Sequence, residues 1–299
     1  MRCAACGRGT DAAVHTCTDC GAPLLLGRWP EGVRCGVVIS FDVDGPSGMM
    51  NRDPRVAEMS STRSMGEYGP IVGAPRILEL LRRESIPASF YFPGWVAERY
   101  PRLVERVRDE GHEIAHHGYM HEPPATLSRD EEADVLDRTN EILREITGEP
   151  ALGYRSPSWE LSAHSVDLLT ERGFRYDSSL MGHDLPYLVG EKTKPLAELP
   201  VHWSLDDYPH FAWAPSDAHR LQASPAHVLD VWTAAFDELY ERRGMFMLTM
   251  HPYVIGRPSR LGVLAKLLDH IRRQDGVAFY RSIDVAGGML GDWGTQPAV

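Results

Sequence analysis

Apolar residues along this 299-residue chain fall into two patterns, which alternate from about residue 34 onwards. Short continuous runs such as 34–41, bounded by glycine and aspartate, predict buried strands. Runs in which apolar residues recur at helical spacing, such as Ile77, Leu80 and Leu81, predict amphipathic helices. Alternation of the two patterns is typical of an α/β fold with a parallel sheet.

The same patterns assign most of the chain. Strands are predicted at 34–41, 88–92, 113–116, 152–155, 174–178, 199–203, 245–250 and 277–281. Helices are predicted at 73–85, 101–110, 128–148, 162–172 and 224–242, with a last one around 264–271. The helix that begins with the capping box 128–131 is expected to bury Val135, Thr139, Ile142 and Ile146. Seven or eight strands alternating with helices indicate a distorted (β/α)7–8 barrel of the TIM type.

Residues 1–28 differ from the rest of the chain. They contain the cysteine pairs Cys3/Cys6 and Cys17/Cys20 and run into a short linker at 27–30. Four thiolates in two paired knuckles can close a tetrahedral shell, so this spacing predicts a structural zinc ribbon over 1–28, followed by the barrel over 29–299. Free thiols or redox pairs are the alternative. Cys35 lies within a predicted strand and is expected to be inert packing.

The acidic charge balance narrows the range of partners. Lys and Arg number 31 against 42 Asp and Glu, and a net charge of -11 argues against nucleic acid or anionic lipid as a main partner. No run approaches the roughly 18 apolar residues of a membrane span, and the N-terminus shows no basic region followed by an apolar run. Together with cysteines spaced as thiolate ligands, these features predict a cytoplasmic protein.

Two pairs of polar residues carry candidate chemistry. Asp42 and Asp44 follow the first predicted strand, and alternate residues of a strand point the same way, so both can enter one pocket. His117 and His121 are spaced so that on one helical turn they would face the same side and reach one metal ion. Because divalent ions such as zinc combine imidazole with carboxylate, the two pairs predict one metal site. A solvated loop at the aspartates and surface or core histidines remain the alternatives.

Three further motifs follow in the chain. They are Arg155-Ser156-Pro157, the segment 176–180, and the strand-like 248–252 that contains His251. With the aspartate and histidine pairs before them, they resemble in order the five motifs of the polysaccharide deacetylase family, carbohydrate esterase family 4, over roughly residues 33–285.

The resemblance implies a role for each motif. Asp42 would be the catalytic base and His251 the general acid, with Arg155 orienting the base; a surface ion pair for Arg155 and a core position for His251 are the alternatives. Asp44, His117 and His121 would bind a divalent metal, with Zn²⁺ the expected ion. The segment 176–180 would line the substrate groove. The implied enzyme hydrolyses amide C–N bonds other than peptide bonds.

Departures from the common motifs bear on the substrate. Val43 separates the two aspartates, and the segment 116–119 differs from the usual histidine motif. Both features, with 198–207 and 256–260, are similar to a divergent branch that includes peptidoglycan deacetylase-like proteins and cyclic imide hydrolases. A de-N-acetylase of an N-acetylated sugar or related small molecule is the leading expectation. A cyclic imide or small-amide hydrolase is the first alternative, and an inactive barrel used as a binding module is the second.

Aromatic and acidic residues near the motifs are candidate substrate contacts. Trp159, Trp203 and Trp213 flank the motifs and are expected either to wall a pocket or to pack in the core. Asp206 is a further candidate contact, although a solvated loop is the favoured interpretation for Asp206 and Asp207. A homo-oligomer or a partner bound through the ribbon is compatible with the sequence.

Overall fold

The computed structural model describes residue 8 and residues 29–191, 193–213 and 221–291. The four cysteines of the predicted ribbon and the assignment of residues 1–28 as a separate module therefore lie outside the described residues. Within the described ranges, no helix combines the length and apolar character needed to cross a membrane.

A curled, mostly parallel sheet forms the centre of the fold. Its nine strands are β1 (Cys35–Asp42), β2 (Ser89–Phe92), β3 (Glu113–His116), β4 (Gly153–Tyr154), β5 (Tyr176–Asp177), β6 (Tyr187–Val189), β7 (Leu196–Glu198), β8 (Met245–Met250) and β9 (Val277–Tyr280). The strand order is β6-β7-β5-β4-β3-β2-β1-β8, and β9 pairs with β1 beside the N-terminal half of that strand. Only β6 and β7 pair antiparallel among the described strands. This half-barrel agrees with the predicted α/β barrel class.

Two strand predictions need correction. The strand expected at 199–203 ends earlier, at Glu198, and residues Trp203–Leu205 form a 3₁₀ turn. Pro200 explains the early end, because proline has no N–H to continue a ladder. The short strand β6 was not predicted; it is an antiparallel edge strand of only three residues, too short to show a pattern.

Helices cover the outside of the sheet. They are α1 (Ser47–Arg52), α2 (Ser60–Tyr68), α3 (Ala74–Glu84), α4 (Gly94–Arg99), α5 (Pro101–Asp109), α6 (Arg129–Thr147), α7 (Ser165–Glu171), α8 (Asp207–Phe211), α9 (Pro225–Glu241), α10 (Pro252–Ile255), α11 (Pro258–Arg272) and α12 (Ser282–Met289). The helix predicted to be last is α11, and α12 follows it after β9. The glycines and small residues of α12 show no apolar stripe at helical spacing.

The buried stripe of α6 differs from the prediction. Its fully buried residues are Glu132, Leu136, Thr139 and Leu143, while three of the four predicted residues are only half-buried. Glu132 is buried because the hydroxyls of Ser162 and Ser165 donate to its carboxylate. A sequence pattern that places every glutamate on the surface leaves Glu132 out, so the predicted stripe begins three residues too late, at Val135.

Side chains on β1 alternate between two buried layers. Val37, Ile39 and Phe41 pack against the outer helices, whereas Val38 joins the cluster inside the sheet. The same alternation turns Asp42 inward at the end of the strand. The inner layer therefore ends at Asp42, at the edge of the sheet formed by the C-terminal ends of the parallel strands.

Trp29 closes the opposite, N-terminal end of β1. A Cβ on Gly36 would lie 2.2 Å from the Trp29 ring, so only glycine permits this close packing. The indole also stacks on Tyr280 with ring centroids 5.7 Å apart. Its Nε1 donates to the carbonyls of Arg243 and Gly244. The beginning of the described barrel is therefore anchored at the base of the sheet.

Candidate active site

The carboxyl ends of neighbouring strands bring the predicted site residues together. Asp42 is the last residue of β1 and Asp44 follows it, His117 follows β3, Arg155 follows β4, and His251 follows β8. Because these strands are parallel, their C-terminal ends meet at one edge of the sheet, where barrel enzymes carry their chemistry.

Asp44, His117 and His121 form one group of candidate metal ligands. One ligand atom from each lies within 4.8 Å of the others. Asp44 Oδ1 is 3.5 Å from His117 Nε2, and Asp44 Oδ2 is 3.4 Å from His121 Nε2. Asp44 Oδ1 is buried and has no hydrogen-bond partner within the part of the chain that the structure describes, as expected for an oxygen that binds a cation. One carboxylate and two imidazoles fit a divalent ion such as zinc with an open coordination position.

The orientation of His117 supports this fit. Its Nδ1 lies 2.7 Å from the carbonyl oxygen of Arg155, so Nδ1 carries the proton and donates. Nε2 is then turned towards Asp44. Burial alone would raise the pKa of Asp44, but His121, His117 and His251 lower it well below its usual range. The carboxylate is therefore ionised and ready to bind a cation.

The two histidines do not lie on a helical turn, contrary to the prediction. β3 ends at His116, and residues 117–121 form a loop in which Gly118 and His121 have φ values of 69° and 65°. A Cβ on Gly118 would lie 2.9 Å from Pro157 Cγ, so this left-handed turn requires glycine. The four-residue spacing correctly predicted that His117 and His121 lie together, but a tight loop and not a helix brings their imidazoles into contact.

Arg155 holds the second aspartate of the site. This arginine is fully buried, which excludes a surface ion pair. Its Nη1 donates to Asp42 Oδ1 at 2.8 Å and to Ser40 Oγ at 3.0 Å. The guanidinium group lies 4.0 Å from the centre of the Tyr91 ring, and Nε and Nη2 donate to Ser178. Asp42 Oδ1 is thus occupied, while Oδ2 lies 3.9 Å from His117 Nε2 on the pocket side.

His251 is held from behind by Asp207. Its Nδ1 lies 2.8 Å from Asp207 Oδ1, and its backbone N–H donates to both oxygens of the same carboxylate. Burial would lower the pKa of His251, but Asp206, Asp207 and Asp44 together raise it well above its usual value. These carboxylates favour the protonated imidazole, whose Nε2 lies 3.7 Å from Asp44 Oδ2.

The solvated loop expected for Asp206 and Asp207 is wrong. Their exposed fractions are 2% and 0%. Asp206 caps α8 by accepting from the Tyr208 N–H, and its backbone forms a bridge with Thr249 beside β8. Burial raises the pKa of Asp206 to about 8, and Asp207 adds to this. Asp207 is thus a buried partner of the candidate site that sequence reasoning missed; the available signal was an acidic pair at the N-cap of a helix before an aromatic residue.

A cavity of about 100 Å³ lies between these groups. Its lining consists of Asp42, Asp44, Gly45, Gly48, Met49, Arg52, His117, His121, Ser158, Trp159, Trp203, Asp206, Tyr208, His251 and Tyr253. Trp159 and Trp203 stack with ring centroids 4.3 Å apart, and Trp203 is 43% exposed at the rim. Trp213 is exposed and does not line this cavity.

The segment 176–180 does not line the cavity, which corrects the role implied for it. Asp177, Ser178 and Ser179 are buried, and Ser178 accepts hydrogen bonds from Arg155. The segment follows the short strand β5, so its position next to β4 directs it towards Arg155.

Known proteins resemble this chain in sequence and in fold. A family model described as polysaccharide deacetylase matches residues 67–176. A peptidoglycan deacetylase of Helicobacter pylori is 32% identical over an alignment of 254 positions that covers 76% of this chain and 87% of the relative. The crystal structure of a candidate polysaccharide deacetylase from Mycobacterium smegmatis has 36% identity and a TM-score of 0.87, covering 93% of this chain and 99% of the other.

A crystal structure of an allantoinase shares the fold, at 24% identity and a TM-score of 0.76, with 88% of this chain and 92% of the other covered. The similarity to the Helicobacter pylori and Mycobacterium smegmatis proteins extends over most of both chains. The chain belongs to the polysaccharide deacetylase family, hydrolases that act on C–N bonds other than peptide bonds.

Proposed function

We propose that this protein is a metal-dependent de-N-acetylase that removes the acyl group from an N-acetylated sugar or a related small molecule. One observation carries the proposal: a single small cavity is shared by a set of cation ligands, a carboxylate held by a buried arginine, and a protonated histidine. The Helicobacter pylori relative, a peptidoglycan deacetylase, supports an N-acetylated sugar as the substrate class.

Asp44, His117 and His121 would hold the cation, and zinc suits their ligand types. When bound, such an ion polarises an amide carbonyl and makes water more acidic. Asp42 acts as the base, because Arg155 occupies Oδ1 and leaves Oδ2 on the pocket side to accept a proton from the attacking water.

His251 completes the reaction by protonating the departing nitrogen. Its Nδ1 is held by Asp207, so the proton on Nε2 is the one that faces the cavity. An amine is a poor leaving group unless it is protonated, and a positioned imidazolium supplies that proton.

The direct test measures acetate release by the zinc-loaded protein from N-acetylglucosamine oligomers and peptidoglycan fragments, and ring opening of cyclic imides. Asp42→Asn is the matched control, since it should keep metal and lose turnover by on the order of 10²- to 10⁴-fold. Loss of metal in Asp42→Asn with the fold intact would reassign Asp42 as a ligand. Full turnover by that variant would remove Asp42 from the mechanism.

A small substrate, either an N-acyl compound or a cyclic imide as in the divergent branch, is the second candidate. The observation that favours it is the size of the cavity and the stacked Trp159 and Trp203 at its rim. We expect kcat/KM to be higher for a small N-acetylated or imide compound than for an oligosaccharide. A steady rise of kcat/KM with sugar chain length would instead identify an extended groove.

We also propose that residues 1–28 form a zinc ribbon held by Cys3, Cys6, Cys17 and Cys20. Two cysteine pairs, each with two residues between its members, are the expected thiolate ligands of structural zinc. Metal analysis should give about two equivalents for the full chain and about one for Cys17→Ser/Cys20→Ser. Cys35→Ala is the control and should keep both, because Cys35 is buried in β1. An unchanged metal content in the double variant would disprove the ribbon.

A further inference from the structure

Two carboxylates without a counterion of their own meet beside Arg155. Asp177 ends β5 and Glu198 ends β7, and the two are register partners on these neighbouring parallel strands. Both side chains are completely buried. This pair belongs neither to the cavity lining nor to the groups of metal ligands.

Each carboxylate has one oxygen that is fully used and one that is not. Asp177 Oδ1 accepts from Ser179 Oγ at 2.7 Å. Glu198 Oε1 accepts from the backbone N–H groups of Ser179 and Leu180 at 3.2 and 3.0 Å. Asp177 Oδ2 and Glu198 Oε2 are buried and have no donor among the described residues. A proton shared between the two remaining oxygens would give both a hydrogen bond.

The surroundings do not supply enough positive charge for two ionised carboxylates. The charged or titratable groups that act on the pair from adjacent strands are Arg155, Tyr154 and Tyr187. Arg155 already balances Asp42 at 2.8 Å. Burial raises the pKa of Glu198 well above its ordinary value, and Asp177 raises it further. Two like charges in contact without water cannot both ionise at neutral pH.

The pair is connected to Arg155 through two serines. Ser178, next to Asp177, accepts from Arg155 Nε through its carbonyl and from Nη2 through its hydroxyl. Ser179 Oγ accepts from the Ser156 N–H at 2.9 Å and donates to Asp177. The carboxyl pair thus fixes both ends of the short segment that holds Arg155 and its neighbour.

We propose that Asp177 and Glu198 share one proton and serve as positioning residues, which hold Arg155 against Asp42 through Ser178 and Ser179. The second half of this statement rests on the proposed function, in which Asp42 is the base. Sharing of the proton does not, and it is tested separately.

An amide cycle tests the shared proton. In Glu198→Gln, Oε1 can keep both backbone donors while Nε2 donates to Asp177 Oδ2; Asp177→Asn does the reverse. Each single variant should melt within a few degrees of the wild type. The double variant places two NH₂ groups face to face, and flipping Asn at 177 relieves this only by depriving the Ser179 hydroxyl of its acceptor.

The double variant should therefore melt at least about 3 °C lower than the sum of the single effects predicts. If both carboxylates were ionised, removing charge would stabilise each single variant and the double variant most. Infrared spectra at neutral pH should also show a protonated carboxyl band that is lost in Glu198→Gln. Absence of that band, or a double variant as stable as the singles, would overturn the shared proton.

The positioning role has its own measurement. Glu198→Ala removes the acceptor of two N–H groups, so the Arg155 Nε–H should exchange faster with solvent in NMR, and kcat should fall about tenfold with KM nearly unchanged. Glu198→Gln should restore both values. Equal exchange of Arg155 Nε–H in all three proteins would refute the role. If the wild type deacetylates nothing, the proposed function fails, while NMR and infrared still decide this inference.

Discussion

The cavity has two walls that look alike in composition and differ in chemistry. One wall consists of Asp44, His117 and His121, and the other of Asp206 and His251 with Asp207 behind them. In each group the candidate ligand atoms lie within 4.8 Å of one another, and all six residues are buried. By residue type and spacing alone, either group could hold a metal ion.

Hydrogen bonds distinguish the two walls. On the first, an oxygen of Asp44 has no hydrogen-bond partner among the described residues, and a backbone carbonyl orients His117 so that Nε2 faces that carboxylate. On the second, Asp207 accepts from the backbone and from Nδ1 of His251. Free acceptors attract a cation, whereas occupied acceptors stabilise a proton on the imidazole. The partners of a carboxylate thus decide which positive charge it holds.

The largest expected effect comes from the first wall. Asp44→Ala removes the carboxylate between two imidazoles, so the catalytic metal should be lost and turnover should fall below detection. Metal analysis and acetate release measure the two effects. Asp53→Ala, at an exposed aspartate paired with Arg55, is the control and should change neither. Retention of the catalytic metal by Asp44→Ala would show that the walls had been assigned in reverse.

Removing the general acid on the second wall should reduce turnover less than removing Asp44. His251→Ala should keep the catalytic metal and slow amide hydrolysis by on the order of 10²- to 10⁴-fold, the usual contribution of a general acid. A substrate with a good leaving group should lose much less, since its departure needs no proton. Comparison of an N-acetyl amine with an activated ester measures this. Equal losses on both substrates would remove His251 from leaving-group protonation.

Asp207→Asn should change the pH dependence more than the maximal rate. Asp207 helps to raise the pKa of His251, and the acid acts only while protonated. Loss of the charge lowers that pKa, so the alkaline limb of kcat should move to lower pH. We expect a loss of on the order of tenfold near pH 8 and much less near pH 6. An alkaline limb that stays in place would show that another group controls it.

The smallest effect is expected at the rim between the walls. Trp203→Ala removes one partner of the indole stack, and such aromatic contacts contribute about 1 kcal/mol. KM for a small substrate should therefore rise a few-fold, with kcat nearly unchanged. Trp213→Ala, at an exposed tryptophan outside the cavity lining, is the matched control. Improved turnover of long oligosaccharides by Trp203→Ala would identify the stack as the element that restricts substrate length.

Sequence patterns located the residues whose neighbours are set by regular structure. Asp42 ends the eight-residue strand β1 and Asp44 follows it, and parallel strand ends bring both to the same edge as His117, Arg155 and His251. Strand polarity is enough to place these residues, because every parallel strand delivers its last side chain to one edge. Even the wrong helical conformation for 117–121 did not change which residues meet.

Sequence patterns failed where an acid is buried by partners far along the chain. Asp207 meets His251 across 44 positions, and Glu132 meets Ser165 across 33. Rules of polarity place such carboxylates in solvent, and only the folded chain supplies the donors that make burial favourable. The same reason shifted the stripe of α6 and left Asp206 and Asp207 in a predicted loop.

The fit of Trp29 over Gly36 has a practical consequence for handling the protein. Gly36 precedes Asp42 by six residues on β1, so at about 3.3 Å per residue the anchored indole lies roughly 20 Å from the catalytic edge. A group joined to the barrel just before Trp29 is attached near the N-terminal end of β1, whereas the cavity lies at the C-terminal end of that strand. Immobilisation or fluorescent labelling at that end of the barrel should therefore leave the cavity accessible to substrate.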